Sequence, residues 1–388
     1  MKTIYLDNAA ATPISPKVQQ EVDRGMKIYG NPSSFNDIGR EASKELSMAR
    51  LKVARFLGAY PEEIIFTSSG SEANNMAIMG LAFAGHKGKT EIITTPIEHP
   101  SVLEPIKHLS NKGFKIIFAK IDQSGFVDVH DLASKINNKT LLVSVMYANN
   151  EIGTIEPINK IGKIIRSLRK KGTGFPLFHV DACQAAGCLN MNVNSLQADL
   201  LALNGSKIGG PRGVSVLYVR KGTVIAPFVL GGGQERGLRA GTENLPAILG
   251  LAKAIELIDI KEPARITKLR DYFINKIKDI NPDIKLNGPM GKDRLPNNIN
   301  ISIPELDSEN LLLELDKCGI YAGSGSACTS RAVEPSHVLK AIGVEKKYLS
   351  GALRLSMGKQ TTKKDLDYVL KVLPKIILDL KKRYGKVN

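Results

Sequence analysis

Short apolar runs alternate with amphipathic stretches through the first two thirds of the chain. Runs at 63–67, 91–95, 115–119, 141–147, 176–181, 199–203 and 214–219 predict strands. Most are continuously apolar rather than alternating, the pattern of strands buried on both faces. Helical periodicity intervenes at 43–57, 72–85, 100–111 and 157–171. This alternation predicts an α/β fold, a mostly parallel seven-stranded sheet with helices on both sides.

Beyond about residue 260 the rhythm changes. One long amphipathic helix over roughly 245–279 reads as a connector. It is followed by a strand at 297–303, a helix at 308–317, a strand at 352–357 and a helix at 362–384. That pattern predicts a smaller α+β domain against the first. The segment 321–336 is the most loop-like long stretch in it.

Composition narrows the class. The chain has 388 residues, enough for two domains. Its 43% apolar and 24% charged residues are an ordinary globular balance. No run approaches the ~20 apolar residues of a membrane span. The opening residues lack the apolar core and cleavage site of a secretion signal. Four cysteines do not make a disulfide framework, so a cytoplasmic protein is expected. The net charge of +16 permits an acidic partner. Its lysine pairs are dispersed and aromatics are sparse, so a solvated surface is the preferred reading and direct nucleic-acid binding is not expected.

Candidate chemistry gathers where strands end. Asp181 closes the run 176–181, and Lys207 follows the run 199–203. In an open parallel sheet, ligands sit outside the carboxyl ends of the strands, so the two would share a crevice. An amine beside a carboxylate suits pyridoxal 5'-phosphate, which needs a Schiff-base lysine and an anion for its pyridinium nitrogen. Ser69, Gly70 and Ser71 open a helical run, where backbone N–H groups and the positive helix end favour a phosphate. Ser69 with Glu72 equally fits a capping box. His99 would project from the same edge, placed to stack on an aromatic cofactor or relay protons. Asn149 offers a fixed amide, and Gln184 lies three residues after Asp181. His86, His108 and His130 read as surface residues. Cys183, Cys188 and Cys318 read as packing thiols, and no metal site is expected. Cys328 stands in a loop of small residues that has little to bury, which predicts an accessible thiol. Arg354 is charged amid apolar neighbours and needs an anion, either a substrate carboxylate or a structural partner.

Together these segments resemble the cysteine desulfurases, pyridoxal-phosphate enzymes of fold type I in the class V aminotransferase group. The resemblance runs through Tyr5–Ala10, Gly30–Ser34, Thr67–Glu72, Glu98-His99, Asn149–Gly153 and His179–Gln184. It continues through the Lys207 segment, Gly231–Arg236, Arg239–Asn244, Ser324–Ser330 and Arg354–Gly358. The segment Ser324–Ser330 is similar to the long mobile cysteine loop of the group I enzymes. The resemblance implies residues 1–15 as a segment at the active site, 16–258 as the large cofactor-binding domain and 259–388 as the small domain. It makes Lys207 the Schiff-base lysine, Asp181 the partner of the pyridinium nitrogen and His99 the stacking group. Gln184 and Asn149 would flank the phenolate oxygen and substrate, and Ser69, Gly70 and Ser71 the phosphate. Arg354 would take the carboxylate of L-cysteine, and Cys328 would receive its sulfur as a persulfide, leaving L-alanine. Thr242 would reach the phosphate of the partner subunit, which implies a homodimer. A sulfur-acceptor protein is implied too, an iron–sulfur scaffold or a tRNA-thiolation relay. Within the same group, a selenocysteine lyase or an aminotransferase is the alternative.

Two departures stand out. Family members commonly read Ser-Gly-His-Lys at the Schiff-base lysine, whereas this chain reads Asn204-Gly205-Ser206-Lys207. Asn204 and Ser206 can still bond phosphate oxygens, but a cationic donor is lost and weaker cofactor affinity is expected. Asn36 stands where a histidine is common.

Overall fold

The computed structural model describes residues 3–169, 174–325 and 335–384. In chain order its strands are β1 (Ile4–Tyr5), β2 (Ile64–Thr67), β3 (Glu91–Thr94), β4 (Lys115–Phe118), β5 (Thr140–Ser144) and β6 (Leu177–Asp181). There follow β7 (Leu200–Asn204), β8 (Ser215–Val219), β9 (Lys285–Leu286), β10 (Asn298–Ser302), β11 (Ile320–Tyr321) and β12 (Ala352–Ser356). Seven form one sheet in the order β2-β8-β7-β6-β5-β3-β4. Only β8 runs against the others, pairing antiparallel with β2 and β7. The carboxyl ends of β2, β3, β5, β6 and β7 therefore share one edge.

Burial explains the continuous apolar runs. Neighbouring side chains of one strand enter different cores: Leu201 and Leu203 pack with the helices 37–57 and 245–256, while Leu200 and Ala202 pack with the helix 70–83. Each face of the sheet thus has its own helical cover, as the doubly wound pattern requires.

The second half holds a three-stranded antiparallel sheet, β12-β10-β9. Its core is separate, built from residues such as Ile299, Leu353, Phe273 and Leu373 on the strands and the helices 262–280 and 363–384. Ile4 and Leu6 belong to this core although they open the chain, and β1 pairs with β11.

The connector differs from expectation. The single helix predicted over 245–279 is two, Leu245–Glu256 and Glu262–Ile280. The apolar pattern runs on through Leu257, Ile258 and Ile260, but Asp259 turns the chain, accepting from Lys261 N at 2.9 Å. Pro263 then suits the first turn of a new helix and no interior position. His86 also departs from the surface reading. It is half-buried and meets the Phe175 ring edge-on at 4.8 Å. Asn36 caps the helix 37–57, accepting from Gly39 N at 2.8 Å.

Candidate active site

The shared edge of the large sheet opens into a cavity of about 180 Å³. Asp181, Lys207, His99, Asn204, Gln184 and Arg354 all line it. Some of these side chains are held by their own turn and others by bonds to distant parts of the chain.

Asp181 is the last residue of β6 and nearly fully buried. Its Oδ1 accepts from Cys183 N at 3.0 Å and its Oδ2 from Asn74 Nδ2 at 2.8 Å. Asn74 is wholly buried, donates also to Ser101 Oγ at 2.8 Å, and keeps a buried Oδ1 with no protein partner. Sequence reasoning gave Asn74 no role. The available signal was a polar residue in the otherwise apolar interior of the helix 70–83.

His99 is the N-cap of the helix Pro100–Ser110. Its Nδ1 accepts from Ser101 N at 3.1 Å, so the neutral ring carries its proton on Nε2. Burial pushes its pKa below the ordinary value, with Asp181 opposing. A neutral ring at neutral pH follows. The preceding Glu98 is wholly buried, and burial raises its pKa to about 8. Its Oε1 accepts from Thr95 Oγ1 at 2.7 Å and Met146 N at 2.9 Å, while Oε2 has no protein partner.

Lys207 ends the tight turn after β7. Its Nζ donates to the carbonyls of Ala9 at 2.7 Å and Ala10 at 2.5 Å. Gln184 Nε2 reaches the same Ala9 oxygen at 3.0 Å. Thr12 fastens this N-terminal strap to the lysine turn, through Oγ1 donating to Ser206 O at 2.9 Å and accepting from Gly209 N at 2.7 Å. Ser206 Oγ donates to Asn204 Oδ1 at 3.0 Å, so the two residues of the departure from the family motif bond each other.

The Ser69–Ser71 corner caps a helix and borders the cavity, but the reciprocal half of the capping box goes to Ser68 rather than Ser69. Ser69 caps the helix Gly70–Phe83, accepting from Glu72 N at 3.1 Å. The Glu72 carboxylate accepts from Ser68 N at 2.9 Å and pairs with Arg239 Nε at 2.8 Å. Gly70 and Ser71 line the cavity. A Cβ added at Gly70 would lie 2.8 Å from Cys183 Sγ, so only glycine leaves the corner open. Cys183 thereby lines the cavity as well as packing, and burial with the neighbouring Asp181 pushes its pKa well up. Thr242 is exposed, on the segment that Arg239 ties to this corner.

Arg354 enters from β12 of the small sheet and is 1% exposed. Nη2 pairs with Asp7 at 2.8 Å and Nη1 donates to Asn150 O at 3.2 Å, while its buried Nε has no protein partner. The Asn149 amide faces elsewhere. It donates to Ile97 O at 3.0 Å and accepts from Glu151 N at 2.8 Å and Ile152 N at 3.0 Å. Asn150, its neighbour, lines the cavity instead. Cys328 lies outside the described residues.

These groups fit pyridoxal phosphate: an amine and a carboxyl group in one cavity, a neutral imidazole, and a helix N-terminus kept open at a glycine. Comparisons agree with the geometry. A curated relative from Dictyoglomus turgidum, "Cysteine desulfurase IscS", is 47% identical across 100% of this chain and 99% of its own. A solved "NIFS-LIKE PROTEIN" superposes with a TM-score of 0.90 at 37% identity, covering 98% of this chain and 100% of that one. The structure "SspA in complex with cysteine" has a TM-score of 0.81 at 32% identity, covering 92% of this chain and 99% of that one. The pattern named "Aminotransferase class-V" matches residues 4–369. With that span matched from the β1 strand into the C-terminal helix, this chain belongs to the class-V aminotransferase family.

Proposed function

We propose that the chain is a cysteine desulfurase that moves sulfur from L-cysteine to its own Cys328 and releases L-alanine. The observation that carries this reading is the convergence of Lys207, Asp181 and Arg354 on one cavity, in a chain whose relatives bear that activity in their names.

Asp181, His99, Gln184 and the Ser69–Ser71 corner would hold pyridoxal phosphate, with Asn204 and Ser206 beside it and Thr242 serving the other subunit of a homodimer. When bound, the cofactor supplies a sink for the electron pair released at the substrate α-carbon. Arg354 orients the substrate by pairing its guanidinium, which lines the cavity, with the substrate carboxylate. Lys207 Nζ moves the α-proton, held meanwhile by two backbone carbonyls that keep it aimed into the cavity. The Cys328 thiolate attacks the substrate sulfur. An S–S bond forms, the Cβ–S bond breaks, and a proton takes its place on the β-carbon. Enzyme thiol and cysteine thus become enzyme persulfide and alanine, with no outside oxidant. A sulfur-acceptor protein, an iron–sulfur scaffold or a tRNA-thiolation relay, would take the persulfide sulfur. Among the described residues no helix is long and apolar enough to cross a membrane, which suits a cytoplasmic location.

The chain would work as two bodies, 16–258 and 259–388, bridged by 1–15; separate cores and the strap over Lys207 support this division. The deciding assay gives purified protein L-cysteine and a reductant and measures alanine and sulfide in parallel. Equal yields are expected. Cys328→Ser should keep the cofactor absorbance and lose the persulfide. Sulfide release by that variant at the wild-type rate would overturn the assignment. Strong preference for selenocysteine over cysteine would instead favour a selenocysteine lyase.

A further inference from the structure

Two side chains that the chemistry above leaves out connect the groups it uses. Asn74 lies one turn into the helix Gly70–Phe83 and is wholly buried. Ser101 is the second residue of the helix Pro100–Ser110 and lines the cavity. Packing gives no reason for an amide at position 74. The buried residues around it on that helix, Ala73, Met76, Ala77 and Ile78, belong to an apolar core. Its partners do give a reason. Its Nδ2 donates to Asp181 Oδ2 and to Ser101 Oγ, each at 2.8 Å. A carboxylate accepts and never donates, so the nitrogen is the amide atom that faces Asp181, and both its hydrogens are used.

The bonding continues in one direction. Ser101 turns two donors on His99 Nδ1, its backbone N–H at 3.1 Å and its hydroxyl at 2.8 Å. The backbone N–H cannot reverse, so Nδ1 is an acceptor and the hydroxyl proton goes to it. Ser101 Oγ is thereby left as the acceptor that the Asn74 amide requires. Asp181, Asn74, Ser101 and His99 form one hydrogen-bonded chain, drawn from β6, the helix 70–83 and the start of the helix 100–110. Its two ends are the carboxylate proposed for the cofactor's ring nitrogen and the imidazole proposed for its face.

We propose that Asn74 and Ser101 are positioning residues that set Asp181 and His99 as a unit: Asn74 aims the carboxylate, and Ser101 fixes the imidazole with its proton on Nε2. The inference rests on the reading of those two residues as partners of the cofactor, and deepens it. A small displacement of either would slow proton transfer at the substrate, while Arg354 still binds the substrate carboxylate.

The first readout needs no turnover. It takes the nitrogen resonances of isotope-labelled histidine in the full chain, with and without pyridoxal phosphate. In wild type, His99 Nδ1 should resonate as a hydrogen-bonded acceptor and Nε2 as a protonated nitrogen. Ser101→Ala should move Nδ1 toward the position of an unbonded acceptor. Asn74→Leu, similar in volume but without donors, should move it the same way by less, because each bond in such a chain strengthens the next. Ser101→Thr keeps the hydroxyl and should leave it in place. The second readout is single-turnover alanine formation by the holoenzyme across cysteine concentrations. Asn74→Leu should lower the maximum rate about ten-fold and Ser101→Ala about three-fold, with the half-saturating cysteine concentration within about two-fold of wild type. Ser101→Thr should keep most of the rate. The double variant should lose less than the product of the single losses, the mark of residues in one network. A protonated Nδ1 in wild type, or an Nδ1 unmoved in Ser101→Ala, would overturn the proposal. So would a change in half-saturation alone, a Thr variant as poor as Ala, or multiplicative losses. If wild type forms no alanine, the desulfurase reading fails, and the resonances still decide whether the pair sets His99.

Discussion

The two sheets equip the cavity in different ways. The large sheet supplies Asp181, His99 and Lys207 from strand ends, and bonds within two residues help set Asp181 and His99: Cys183 N to Asp181 and Ser101 N to His99. The small sheet supplies one arginine, and its partners come from far along the chain, Asp7 and the carbonyl of Asn150. Asp181 and His99 are set in part by the turns that carry them, while Lys207 leans on the N-terminal strap. Arg354 is built by the meeting of three regions, and it senses their relative placement in a way that Asp181 does not.

Four variants would break or sharpen that contrast. The largest effect is expected at Lys207→Ala, which should cut alanine formation by about a thousand-fold, within the range for loss of a general base. The fold should survive, because the strap keeps its Thr12 bonds to the lysine turn. A melting curve beside the alanine assay checks both. Next, Arg354→Gln should raise KM for cysteine by about 10–100-fold, the worth of a charge-assisted hydrogen bond. It should also destabilise the protein, since Asp7 loses its cation. A KM shift with no change in melting would contradict the view of Arg354 as a joint between regions.

Third, Gly70→Ala should weaken retention of pyridoxal phosphate about ten-fold, the scale of modest overpacking. Alanine is the better helix former there, so thermal stability of the cofactor-free protein should not fall in step. Adding Cys183→Ala removes the sulfur that the new Cβ would meet and should restore retention. Cofactor titration of the single and double variants decides it. The smallest effect concerns pH. Glu98 is raised from 4.5 to about 8 in the folded protein. The unfolded chain therefore loses this proton first, and the Glu98 contribution to stability falls between pH 4.5 and about 8, then levels off. Glu98→Gln removes that fall. Its melting temperature should exceed that of wild type by several degrees at pH 9, and the gap should close toward pH 4.5.

Much of the large sheet was legible because strands buried on both faces write themselves as unbroken apolar runs, and all seven runs became its strands. The residues closing those runs were legible for the same reason. Asp181 and Lys207 needed only the rule that ligands lie beyond carboxyl ends. What the pattern could not reveal was the break at 257–261, where apolar residues continue across a turn. Nor could it separate Asn149 from Asn150, since adjacent amides look alike in sequence and only the fold of the turn decides which faces the cavity. The strap was harder still. Ala9 and Ala10 act through backbone carbonyls, which leave no side-chain signature, and the two-residue β1 is too short for any periodicity to mark.

That strap also sets an order of assembly. β1 emerges first during synthesis, yet its pairing partner β11 is among the last strands made. The strap that holds the lysine amine is tied through Thr12 to the lysine turn, and gains its β1–β11 pairing only when most of the chain exists. The β1–β11 pairing is long-range in sequence, a contact of the high-contact-order kind that slows folding. A chain elongated only as far as β10 would hold all seven strands of the large sheet while β1 still lacked its partner.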